Sequence, residues 1–177
     1  MFFHTRPAQP SDADSFAAIG EETFALACPP DTPKADLDAY IGAELGAERF
    51  REHLASPDKS LFAAEVGDAV VGYLMLDREA GPPAVQALRP LQVSRLYVLS
   101  RFHGSGVGQA LLGVALEQAR AGGHDALWLG VSRHNARGIA FYRKLGFRVV
   151  GEQRFPVGTD LHEDFLMCRI VAERSAA

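Results

Sequence analysis

The chain has 177 residues, 47% of them apolar and 23% charged, with a net charge of −4 and an isoelectric point near 5.8. These are the proportions of one globular domain spanning residues 1–177, large enough for a core of its own. The acidic balance argues against nucleic acid or an anionic membrane as the main partner. No apolar run approaches the length of a membrane span, and the first residues lack the pattern of a signal peptide. Cys28 and Cys168 show no Cys-x-x-Cys spacing, so a cytoplasmic protein with free thiols is expected.

In chain order, Phe2 to Arg6 is a short strand stopped by Pro7 and Pro10. Ser11 or Asp12 then caps a helix carrying Phe16, Ile19, Phe24 and Leu26. The segment CPPDTP (28–33) holds three prolines in six residues and is a loop. Lys34 to Leu54 is helical, with Leu37, Tyr40, Ile41, Leu45 and Phe50 as its apolar stripe. Gly42 and Gly46 each weaken it by about 1 kcal/mol relative to alanine, enough to break it in two. Ser60–Val66 and Ala69–Asp77 form a hairpin about Gly67-Asp68. Residues 78–90 are an exposed loop. A strand from Leu91 to Leu99 leads through a turn into a helix that ends near Ala121-Gly122-Gly123. Ala126–Ser132 is a buried strand, and Asn135–Leu145 is a helix stopped by Gly146. Phe147–Gln153 and Glu163–Val171 are strands joined by PVGTDLHE. The order β-α-α-β-β-β-α-β-α-β-β is that of an α/β or α+β layer with a mixed sheet.

The most informative stretch is LQVSRLYVLSRFHGSGVGQALLG (91–113). An apolar strand delivers a turn with glycines at 104, 106 and 108 into an amphipathic helix carrying Val107, Ala110, Leu111, Val114 and Ala115. The unpaired N–H groups and the positive dipole of a helix N-terminus suit a phosphate or pyrophosphate, and glycine lets the backbone approach it. A tight strand–helix corner is the plainer alternative. A Walker loop is ruled out because no Lys-Ser/Thr pair follows, and a dinucleotide loop because the glycines are evenly spaced.

A second motif, NARGIAFYRKLGF (135–147), lies downstream, with the strand ALWLGVS between the two. The two motifs in this order resemble the GNAT superfamily of acyl-CoA-dependent N-acetyltransferases over roughly residues 60–153. RLYVLSRFHGSGVGQALL and GTDLHEDFLM look like its bacterial spermidine/spermine (polyamine) acetyltransferase branch. The resemblance implies a mixed, centrally splayed sheet of about seven strands flanked by about four helices, acetyl-CoA as co-substrate and no metal. The coenzyme A pyrophosphate would lie on the main chain of His103, Gly104, Ser105, Gly106, Val107 and Gly108, with Gln109 beginning the helix. His103 stands where the family has Gln or Arg, and Arg101 is near enough to supply a charge. A bulge in the preceding strand would free Leu96, Tyr97 and Val98 to pair with the pantetheine, with the Val98 N–H polarising the thioester carbonyl.

Direct acetyl transfer to an amine needs a proton acceptor, because an alkyl ammonium has a pKa near 10.4. It also needs a donor for the departing thiolate. Tyr142 occupies the family position for that donor. Asn135 reads equally as a cofactor contact and as a helix N-cap. Close relatives often hold a glutamate near Gln92, where an amide here cannot act as a base. Glu21, Glu22, Asp36, His134, His162 and a water relay all remain open as acceptors, and none is assigned. The six histidines show no ligand spacing.

The expected activity is therefore acetyl transfer from acetyl-CoA to a small cationic amine such as a polyamine. Alternatives are a protein or peptide N-acetyltransferase and a non-catalytic acyl-CoA sensor on the same fold. Members of the family are commonly dimers, which makes a homodimer the oligomer to test for.

Overall fold

The computed structural model describes residues 2–171. Seven strands and five α-helices follow one another as β1 (His4–Pro7), α1 (Ala13–Thr23), α2 (Lys34–Glu44), α3 (Ala47–Ala55), β2 (Lys59–Val66), β3 (Ala69–Asp77), β4 (Pro90–Val98), α4 (Val107–Ala121), β5 (Ala126–Ser132), α5 (Ala136–Lys144), β6 (Arg148–Val157) and β7 (Asp160–Ile170). One sheet holds all the strands in the order β1-β2-β3-β4-β5-β7-β6. Among the described residues only β4 and β5 run parallel, as expected for two strands joined by a helical crossover.

That parallel pair opens the molecule. Pro90, Leu91 and Gln92 pair with Ala126, Leu127 and Trp128, and there the ladder stops although both strands continue. The cause lies on the other edge of β4. Its register against β3 jumps from Met75↔Arg95 to Leu76↔Val93, leaving Ser94 as an extra residue. The Ser94 hydroxyl donates to the Met75 carbonyl at 3.1 Å. A bulge bends its strand, and the expected splay follows.

Alternate residues of β3 face opposite layers. Tyr73 packs on Phe16 of α1 (ring centroids 4.8 Å) and Phe50 of α3 (5.2 Å). Its neighbour Gly72 faces the other way, toward α4. A Cβ at Gly72 would lie 2.9 Å from the Tyr97 carbonyl and 3.4 Å from Leu111, so glycine sets how closely α4 packs. Phe16, Phe50, Tyr73, Leu74, Leu111 and Leu127 are all fully buried.

Several boundaries move. The stretch 34–54 does break, at Gly46, into α2 and α3. The chain enters α1 through a 3-10 turn, Pro10–Asp12. There the Asp12 carboxylate accepts from the Gln9 N–H at 2.7 Å and from Arg6 at 2.7 and 2.9 Å. After Thr23 the helix tightens into a 3-10 turn, Phe24–Ala27. Three residues per turn instead of 3.6 shifts the phase, and Leu26 ends up exposed rather than in the apolar stripe. Residues 78–90 are not wholly exposed: Val85 is buried with Trp128 and Leu166 in a second cluster. The last hairpin is longer than expected, because PVGTDLHE is mostly strand and only Gly158-Thr159 turns. Pro156 is tolerated because β6 is the sheet edge. Gly158, at φ +60°, sits so close to Asp36 of α2 that a Cβ there would overlap its carboxylate.

Candidate active site

Where β4 and β5 part, a cleft of about 480 Å³ opens. Ten of the residues predicted from sequence line it: Leu96, Tyr97, Val98, His103, Gly104, Gly106, Gly108, Gln109, Asn135 and Tyr142. Two do not. The Val107 side chain is fully buried in the core, and the Ser105 hydroxyl donates to the Phe102 carbonyl at 2.6 Å. Helix α4 begins at Val107 rather than at Gln109.

The ladder decides which main-chain groups of β4 are free. The Leu99 N–H donates to the Val71 carbonyl at 2.9 Å. In an antiparallel pair, bonded and non-bonded residues alternate, so Tyr97 also faces β3 while Leu96 and Val98 face the side that β5 has left. The groups turned toward the cleft are thus those of Leu96 and Val98. Tyr97 lines the cleft by its side chain, whose ionisation burial pushes up.

The turn is held by side chains. Gly104 and Gly106 have φ of +80° and +93°, the left-handed region that L side chains avoid. His103 donates through Nε2 to the Val98 carbonyl at 2.8 Å and accepts at Nδ1 from the Arg137 guanidinium. Acceptance at Nδ1 requires the neutral ring. Burial, chiefly, and the Arg137 charge hold its pKa below the ordinary value. The cation beside the turn is therefore Arg137, two residues into α5, and not Arg101. Arg101 lies over the Phe102 ring (5.3 Å) and 3.6 Å from Glu22, outside the cleft. Arg137 was legible only as part of NARG, and nothing in one dimension brings it beside His103.

Asn135 is a helix cap: its side-chain oxygen accepts from the Gly138 N–H at 2.9 Å. A Cβ at residue 138 would sit 2.6 Å from the Asn135 amide nitrogen, so the cap needs that glycine. Asn135 also lines the cleft. Tyr142 stands between Phe141 (5.2 Å) and Phe147 (5.6 Å). Burial raises its pKa, so its phenol keeps its proton at neutral pH.

The opposite half of the cleft is formed by the α1–α2 connection, β4 at Gln92–Arg95, and the face of β5, β7 and β6 bearing Gly130, Asp164 and Gln153. Asp164 is buried, and burial pushes its pKa up to about 6, against the opposing pull of His162 and Gln153. Gly130 makes room for this pair: a Cβ there would lie 2.5 Å from the Gln153 amide nitrogen and 3.4 Å from an Asp164 oxygen. His162 is buried, within 3.2 Å of both the Thr32 hydroxyl and the Asp160 carboxylate. Of the other acceptors considered from sequence, Glu21, Glu22 and His134 are exposed. Asp36 is taken up by Thr159, whose N–H and hydroxyl each donate to it at 3.0 Å. Sequence reading missed Asp164. Its signal was a carboxylate at every-other-residue spacing from His162 and Leu166 in a buried strand.

Among the described residues, no group of three or more His, Cys, Asp or Glu is arranged to hold a metal ion. No described helix is long and apolar enough to cross a membrane.

Residues 25–147 match the model of the acetyltransferase (GNAT) family. An uncharacterized N-acetyltransferase of Mycobacterium tuberculosis is 35% identical over 159 residues, 90% of this chain and 97% of its own. The N-alpha-acetyltransferase RimI of the same organism is 32% identical over 105 residues, 59% of this chain and 62% of its own. Among solved structures, the PaiA N-acetyltransferase of Thermoplasma acidophilum, in complex with coenzyme A, superposes with a TM-score of 0.79 at 19% identity. That likeness covers 96% of this chain and 99% of the other.

Proposed function

Because the chain belongs to the acetyltransferase (GNAT) family, we propose that it transfers an acetyl group from acetyl-CoA to a small primary amine by direct attack in a ternary complex. It is an N-acetyltransferase with acetyl-CoA as co-substrate; the roles of the individual residues and the choice of amine are the proposal. One observation carries it: the free main chain of β4, the glycine turn and the Tyr142 phenol all open on one cleft.

The residues fit the donor. The turn offers main chain that glycine leaves uncovered, with the Arg137 charge beside it, to a pyrophosphate. Leu96 and Val98 offer amide groups to an extended pantetheine, pairing as a sheet edge would. The Val98 N–H then points at the developing oxyanion of the thioester carbonyl. Asp164 takes the proton of the incoming ammonium, directly or through water. The amine nitrogen bonds to the carbonyl carbon, the C–S bond breaks, Tyr142 protonates the thiolate, and the second proton lost by the nitrogen restores the Tyr142 phenol.

The polyamine reading rests on the net charge of −4 and the motif resemblance. Inside the cleft the balance is reversed. Asp164 is the single carboxylate among its described lining residues, beside Arg95, Arg137 and Lys144. A polyamine would bring two or more cations to one anion, so we favour a smaller amine with one cationic centre. A protein N-terminus is the second reading, favoured by the match to the N-alpha-acetyltransferase RimI.

Thiol release from acetyl-CoA with glycine, spermidine and a test peptide distinguishes these. Release with the small amine is expected. Release with the peptide alone gives the second reading, release with spermidine alone restores the polyamine, and binding of acetyl-CoA with no release on any amine makes the chain a sensor.

A further inference from the structure

Arg95 is the anomaly of the acceptor half. Its side chain is only 9% exposed, it lines the cleft just past the Ser94 bulge, and its Nη1 is buried without a hydrogen-bond partner among the described residues. The nearest carboxylate, Glu44 of α2, approaches Nη2 only to 3.6 Å, beyond hydrogen-bond reach, and stands equally far from Arg49. The Phe50 ring covers the guanidinium at 5.5 Å. Burial pulls the pKa of the Tyr40 phenol up, and the phenol lies close enough that the charge and hydrogen bonding of Arg95 oppose that pull, which leaves Nη1 as the unpartnered end of the fork. A guanidinium carries five donors and cannot shed its proton. Buried with a donor left unsatisfied it is costly, and the groups that satisfy such a fork best are planar oxyanions held by two parallel bonds.

We propose that Arg95 is a carboxylate subsite, and that the acceptor is an amino-acid-like molecule carrying a carboxylate as well as its amine. This rests on the acetyltransferase reading above and names the substrate class of that same cleft. Charge complementarity supports it. For an ammonium, Asp164 offers the one carboxylate of the described lining, and for a carboxylate, Arg95 offers a guanidinium whose Nη1 has no hydrogen-bond partner among the described residues. A zwitterion satisfies both, whereas a simple amine leaves Arg95 unpaired and a polyamine adds repulsion. The Ser94 bulge puts the guanidinium there, because the extra residue shifts every later β4 side chain by one position relative to β3.

The test uses matched pairs: lysine against lysinamide, glutamate against its α-amide, isoglutamine, and glycine against glycinamide. Each pair is titrated calorimetrically into the coenzyme A-bound protein and assayed for thiol release from acetyl-CoA. The expected result is that the carboxylate member of at least one pair binds at least about 30-fold more tightly than its amide. Arg95→Gln should abolish that preference and Arg95→Lys should restore part of it, with coenzyme A affinity as the folding control for both variants. Amides that bind as well as acids, a preference that survives Arg95→Gln, or no carboxylate-dependent binding in any pair overturns the subsite. These outcomes are separate from failure of the acetyltransferase reading, which would show as binding without thiol release on any amine.

Discussion

His103 donates through Nε2 to the Val98 carbonyl at 2.8 Å, tying the first residue of the glycine turn to the last residue of β4. The bond occupies the free-side carbonyl of Val98 and leaves its N–H to the cleft. With Arg137 donating to the other ring nitrogen, the imidazole is a neutral strut between a strand end and a helix start.

From this arrangement, His103→Ala should raise the KM for acetyl-CoA about tenfold, the worth of one buried hydrogen bond, while kcat changes less. Arg137→Ala should act in the same direction. Because the two side chains touch, the double variant should lose less than the two single effects combined. Initial rates against acetyl-CoA concentration for the four proteins check this.

Tyr142→Phe removes the proposed proton donor and keeps the ring between Phe141 and Phe147. The expected result is a fall in kcat of roughly 100-fold with coenzyme A affinity nearly unchanged. Unchanged turnover would remove Tyr142 from the chemistry.

Asp164 must be ionised to accept a proton, and burial raises its pKa to about 6. The acid side of the kcat/KM profile should therefore break near pH 6, and Asp164→Asn should lose that break together with roughly 100-fold in rate. Stability should change in the opposite direction. A raised pKa means that the neutral form is favoured by folding, so this contribution is complete below the ordinary carboxylate value of 3.8 and is lost as pH rises through about 6. The Asn variant escapes that loss and should be more stable at pH 8 by on the order of 1–2 kcal/mol, after allowance for partial solvation. Urea unfolding at pH 5 and pH 8 measures it.

Asp36 joins α2 to the tip of the last hairpin through the Thr159 N–H and hydroxyl. Asp36→Ala should cost about 2 kcal/mol and loosen the wall that α2 lends to the cleft. Gly158→Ala should do the same by driving a methyl into that carboxylate at a residue with φ +60°. Denaturant midpoints, with KM for the amine as the second readout, decide this.

The linear sequence by itself determined whatever depends on neighbours along the chain. Strand and helix order, the break at Gly46, the Gly67 hairpin, the glycine turn and the family all follow from periodicity, glycines and local motifs. Tertiary structure decided whatever depends on which neighbours the sheet brings together. PVGTDLHE was not legible as strand, because edge pairing to β7 and the Asp36 anchor outweigh its turn-like composition. The Ser94 bulge carries no mark in the residues LQVSRL, yet it opens the cleft and turns Leu96 and Val98 outward. Arg137 joins His103 from 34 residues away, and Asp164 faces a cleft whose other wall is β4. Burial then gives these side chains their chemistry: it raises the Asp164 pKa, keeps Tyr142 protonated, and leaves the Arg95 Nη1 without a hydrogen-bond partner among the described residues.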